Sequence, residues 1–193
     1  MQPSEAEWMG SLVSMLSAHL STVFPEGESA MRVESGVNLA AGYQILDYAE
    51  KSARHSVLFH KADLLVREEG AGGRWTPRVA MECKYGELNS KEALAYNARA
   101  EQFKSVHPYL RYGLLIGGYD GLSLPVRVLK NGANFDFIIA WEGAEPRGLT
   151  RDRLGAIVVA EIDASRVLST LLLKEGGAVM GPVRMIHRPL TLA

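Results

Sequence analysis

The chain has 193 residues, a formal net charge of −1 and 47% hydrophobic residues, which suits one domain with a sizeable core and argues against disorder. No apolar run approaches the ~18 residues of a membrane span, and the first basic residue, Arg32, follows Glu5 and Glu7, unlike the basic start of a secretory leader. A cytoplasmic location without membrane contact is therefore expected, and the single Cys83 cannot form an internal disulfide.

Trp8, Leu12, Leu16, Leu20 and Val23 recur at helical spacing and predict a helix from about Ser4 to Val23, ended by Pro25-Glu26-Gly27. Met31 to Val37 reads as a first strand. Segment 40–55 is ambiguous, because Tyr43, Ile45 and Leu46 suggest order while Glu50 to Arg54 resembles a polar turn or helix end. Lys61 to Val66 and Val79 to Tyr85 read as two strands around the glycine-rich turn Glu68 to Arg74. Asn89 with Glu92 three residues later is a helix start, and His107-Pro108 sets its end near Val106. Tyr112 to Gly118 reads as a buried strand. Val126 to Lys130 and Asn134 to Trp141 flank Asn131-Gly132, a hairpin signal. Gly155 to Ile162 reads as a further strand, followed by a helix from about Ser165 to Lys174 that stops at Gly176-Gly177.

Charge falls where core residues are expected. Side chains at i and i+2 of a strand share a face, so Glu82 and Lys84 project together beside Ala80, while Val79, Met81, Cys83 and Tyr85 take the other side. A hairpin folded symmetrically about Gly72 and Gly73 sets Asp63 opposite Glu82. Two carboxylates and one ammonium then converge, a set suited to Mg²⁺, for which Mn²⁺ can substitute, since Mg²⁺ is usually held by one or two carboxylates plus water and phosphate oxygens. The bland reading is a solvated Glu82–Lys84 pair with Asp63 merely opening a strand. Glu82-Cys83-Lys84 is the chain's single acid-x-Lys tripeptide. Cys83 reads as a buried thiol, and His55 and His60, on opposite strand faces, do not form a metal pair.

Asp63, then Glu82-Cys83-Lys84 on a strand, then a helix, resembles the PD-(D/E)XK phosphodiesterase superfamily over roughly Ser56 to Gly118, with Ala62 where that pattern has proline. The resemblance implies an α/β fold with a restriction-endonuclease-like core, a mixed central sheet flanked by helices. It also implies a single nuclease-like domain with its core in about residues 1–120; beyond Tyr119 the resemblance thins, and the hairpin, strand and helix read above form a C-terminal extension in 121–193. The activity implied is metal-dependent hydrolysis of DNA phosphodiester bonds, with Asp63, Glu82 and the Cys83 carbonyl on the metal and Lys84 activating or positioning water. A further acid is expected from the first helix, Glu7 ahead of Glu5, with Glu34 as rival, and a polar residue, Gln102, from the second helix. DNA is the expected partner, and double-strand cleavage favours a homodimer. The alternative is a catalytically inactive module of the same fold that binds DNA or a protein partner. A net charge of −1 gives no bulk attraction to DNA, so Arg74, Arg78, Lys91, Arg99, Lys104, Arg127 and Lys130 are the local candidates for backbone contact.

Overall fold

The computed structural model describes residues 3–25, 27, 29–121, 124 and 126–173. The elements in chain order are α1 (Glu5–Val23), β1 (Met31–Ala49), β2 (Ser52–Glu69), β3 (Trp75–Tyr85), α2 (Ser90–Val106), β4 (Arg111–Gly117), α3 (Val126–Asn131), β5 (Phe137–Ala140) and α4 (Gly148–Leu173), with one 3₁₀ turn, Ala71–Gly73, between β2 and β3. The strands form one mixed sheet in sequence order. β1, β2 and β3 are antiparallel neighbours, whereas β4 and β5 run parallel to β3. The fold is α/β. No helix among the described residues is long and apolar enough to cross a membrane.

The alternation of β3 divides the core in two. Val79, Met81 and Cys83 face Trp8, Leu12, Leu16 and Leu20 of α1 and Leu154, Val158 and Ile162 of α4. Ala80 faces the other way, into a cluster with Leu39, Leu65, Ala100, Phe103 and Tyr112 beneath α2. Where α1 crosses the end of β4 the approach is close: a Cβ on Gly117 would lie 2.5 Å from the Trp8 ring. Trp8 is anchored there by its indole N–H, which donates to the Ala144 carbonyl at 2.6 Å.

Three expectations are corrected. Val126 to Lys130 is helical, and Asn131-Gly132 closes that helix: the Asn131 Nδ2 donates to the Arg127 carbonyl, and a Cβ on Gly132 would lie 2.6 Å from the Val128 carbonyl oxygen. The expected hairpin is absent, and only Phe137–Ala140 of its second arm is a strand. Gly155 to Ile162 lies inside α4, whose buried residues Leu154, Val158, Ile162 and Ser165 follow a helical period that a short apolar run conceals. Segment 40–55 is the far half of an antiparallel ribbon in which β1 and β2 pair from Met31↔Glu68 to Ala49↔Ser52. The expected helix stop at Gly176-Gly177 lies outside the described residues.

β2 pairs with β3 from Glu69↔Trp75 to Leu64↔Met81, so beyond Leu64 the ribbon leaves the sheet. The pairs Leu64↔Met81, Leu65↔Ala80 and Val66↔Val79 have the register of a hairpin centred between Gly72 and Gly73, and a bulge at Arg78 shifts the pairs nearer the tip by one residue. The divergence coincides with a change of phase. Leu64 and Val66 pack under α1 and α4, but Ala62 packs under α2 with Leu65. Gly36 faces this point, in the gap between Ser35↔Leu64 and Val37↔Ala62, with φ +66°. A side chain would have open space there, so the left-handed backbone is the constraint. Gly36→Ala is expected to lower stability by about 1–2 kcal/mol, read as a lower urea midpoint with an unchanged m-value.

Candidate functional site

Asp63 sits where β2 parts from β3. The Cys83 N–H points toward the departing strand, and the Asp63 Oδ2 accepts it at 2.9 Å. The side chain thus takes over a bond that the ladder no longer supplies. This leaves Oδ1 for another partner, and the Cys83 carbonyl leaves the strand on that same edge.

Glu82, one residue back, is fully buried at 0% exposure. Its carboxylate accepts from the Arg99 Nη1 at 3.1 Å (Oε1) and 2.8 Å (Oε2), and Oε1 also accepts from the Tyr112 hydroxyl. Burial pushes the Glu82 carboxyl up to about 7, and the nearby negative charge of Asp63 adds to the rise. The Tyr112 and Arg99 hydrogen bonds oppose it without winning, because Arg99 is itself one-third exposed and its charge is partly screened by water. Burial, with Glu82 and Asp63 nearby, also raises the phenols: Tyr96 to about 12, and Tyr112 further.

Lys84 shares the face of Glu82, as the strand period requires. Its Nζ donates to the Glu92 Oε1 at 2.7 Å, while the Glu92 Oε2 accepts the Asn89 N–H at 2.9 Å in the capping box of α2. Seven residues on, Arg99 lies on the same side of the helix. The strand presents acid then lysine, and the helix answers with arginine and acid. Glu92, Arg99 and Tyr112 were not legible as partners of the strand acids and lysine: Glu92 reads as a cap and Arg99 as a candidate for backbone contact. The available signal for Tyr112 is a polar-tipped aromatic opening an otherwise apolar strand.

Gln102, with Asn38, Phe59, His60, Lys61, Asp63, Ala95, Ala98 and Arg99, lines an open cleft of about 540 Å³ between the root of the ribbon and α2. Glu7 is not brought to the site. It is exposed and completes the capping box of α1, accepting from the Ser4 N–H at 2.9 Å and the Ser4 hydroxyl at 2.7 Å, bonds that hold its carboxyl below the usual range. Glu5 is the α1 acid whose charge reaches Cys83 and Tyr96. Glu34 pairs with Arg67 at 3.1 Å. Of the expected surface cations, Arg78 is tied to Glu68, Lys104 to Asp136 and Arg99 to Glu82. Cys83 is a buried free thiol, raised well above its usual range by burial and the neighbouring acids.

Among the described residues, no three His, Cys, Asp or Glu side chains gather as a ligand group. Asp63 and Glu82, with the Cys83 carbonyl on the edge that Asp63 faces, would offer a metal oxygens alone. An all-oxygen set with shell positions left for water and phosphate fits Mg²⁺ or Mn²⁺ better than softer ions.

The raised Glu82 carboxyl has a consequence for stability. Between about pH 4.5 and 7 the folded chain keeps a proton that the unfolded chain has lost, so this group's contribution falls as pH rises through that window, by roughly 3 kcal/mol in all. The difference in unfolding free energy between wild type and Glu82→Gln is expected to shrink by that order from pH 4.5 to 7.5 in urea titrations. A flat difference would mean that Glu82 ionises normally. No family model and no curated protein matches this chain, and the geometry of the fork carries the functional reading.

Proposed function

We propose that the chain is a metal-dependent nuclease that hydrolyses DNA phosphodiester bonds. One observation supports this reading: Asp63 bonds the Cys83 N–H where β2 and β3 part, near enough for its charge to act on the buried Glu82, with Lys84 on the same strand face as Glu82 and an open cleft alongside. The chain order supports it as well, since helix, three antiparallel strands, crossover helix and a fourth strand parallel to the third is the order of a restriction-endonuclease-like core.

Asp63 and Glu82 would hold Mg²⁺ or Mn²⁺, with the Cys83 carbonyl as a third oxygen. Such an ion, when bound, supplies Lewis-acid charge to phosphate oxygens and to the nucleophile. The chain's own residues do the rest. Lys84, held by Glu92 on the strand face of Glu82, would turn its ammonium to the bound phosphate, positioning the attacking water and offsetting charge building on the phosphoryl group. The water oxygen bonds to phosphorus as the ester P–O bond opposite it breaks. Arg99 and Tyr112 keep Glu82 oriented in the buried site. Asn38, Lys61 and Gln102 offer polar groups along the cleft for the DNA backbone.

The test is cleavage of supercoiled and linear DNA with Mg²⁺ or Mn²⁺, in wild type, Asp63→Ala and Lys84→Ala matched by circular dichroism. Each substitution is expected to reduce the rate about 100-fold or more, and chelation to abolish it. Equal activity in all three proteins would assign the cleavage to a contaminant. Wild type that binds DNA without cutting it would make the chain a binding module of the same fold.

A further inference from the structure

Beyond Ala41 the β1–β2 ribbon projects with neither a third strand nor a helix upon it among the described residues: Gly42–Ala49 pairs only with Ser52–Leu58. A two-stranded ribbon alone is marginal in water. This one carries most of its large apolar side chains on one face, with Leu58 on the other. β2 runs regularly through the ribbon, the extra residues of its bulges lying on β1, so Ala53, His55, Val57 and Phe59 share a face. Their partners there include Tyr48, Ile45 and Tyr43, and the Tyr43 and His55 rings meet edge to face at 5.4 Å across it. The opposite face holds Gln44, Ser56, Ser52 and the Asp47–Arg54 ion pair.

The pattern is that of a half-buried strand pair whose cover is missing. Tyr48 is 78% exposed and Phe59 59%, and Tyr43, Ile45 and Val57 are also open to solvent. Their open surface amounts to roughly 600 Å² per chain, the greater part of the ~800 Å² a side of a standard protein interface. We propose that this face, through Tyr43, Ile45, Tyr48, Val57 and Phe59, is where two copies of the chain pair. A second copy suits the chemistry. The far half of the face carries no carboxylate, Lys or Arg, so two copies stack without like-charge repulsion and a phosphate backbone finds no cation to hold. A two-fold contact is self-complementary, which a single amphipathic ribbon satisfies by meeting itself. The inference stands apart from the nuclease reading, because it uses no carboxylate of the site and rests on the far half of the ribbon, Phe59 alone also lining the cleft.

The full chain is expected to run by light scattering and sedimentation velocity at twice 21.1 kDa. The Ile45→Lys/Tyr48→Lys variant is expected to dissociate, with the dimer constant weakened about 30-fold or more. Since that variant could lose its fold, single cysteines provide an independent measurement. The native thiol is buried, so Tyr43→Cys, Ile45→Cys and Tyr48→Cys report on the apolar face and Ser56→Cys on the other. A short bismaleimide is expected to link at least one of the first three into dimers and not the fourth. A monomeric wild type, a dimer that persists in the folded lysine variant, linking through Ser56→Cys alone, or polydisperse aggregates would each overturn the proposal. So would a monomer whose lysine variant binds DNA less well, which would give the face to nucleic acid.

Discussion

The site depends on how β2 leaves the sheet. An antiparallel pair that ends abruptly strands a backbone N–H in the interior, and a buried donor without a partner costs about 1–3 kcal/mol. Here the Asp63 carboxylate meets the Cys83 N–H. The same bond puts a carboxylate one residue from Glu82, opens the space between ribbon and α2, and lets the far half of the ribbon project. Gly36 makes the departure sterically allowed by taking a positive φ opposite the fork.

Around that fork the charges are paired across elements. Glu68 binds Arg78 of β3 and Arg166 of α4, tying the hairpin base to the last helix. Arg111, at the start of β4, binds Asp136 and Glu161, and Lys104 of α2 also binds Asp136. These are partly buried pairs whose removal one partner at a time leaves a poorly hydrated charge behind. They account for acids with no evident partner in the sequence, Asp136 among them, and they consume cations that would otherwise count toward nucleic-acid binding.

The β2–β3 hairpin and its acids were legible because two periodic runs flank a glycine cluster, and strand alternation sorts their side chains without ambiguity. The α2 start was legible because Asn89 and Glu92 are a capping pair with a local cause. What was not legible depends on tertiary context. Val126 to Lys130 has strand-like composition, yet one buried residue, Val128, suffices to dock it as a short helix. Gly155 lies against the His19 ring of α1, which a local reading of Gly155 to Ile162 as a strand could not anticipate. Arg99 and Tyr112 reach Glu82 from a helix and a parallel strand, and only the crossover between β3 and β4 brings them together. Glu7 was a reasonable expectation from its place on α1, but a cap three residues from Ser4 satisfies it locally.

Glu92 holds two things at once, the first turn of α2 through one oxygen and the site lysine through the other. Helix ends fray on fast timescales and open at lower free energy than the core. Each time that first turn loosens, Lys84 loses its anchor, so the lifetime of its ordered ammonium is set by the breathing of a helix end. The order of Lys84 thus fluctuates with the backbone of α2, and hydrogen exchange at Lys91 and Glu92 would keep time with it.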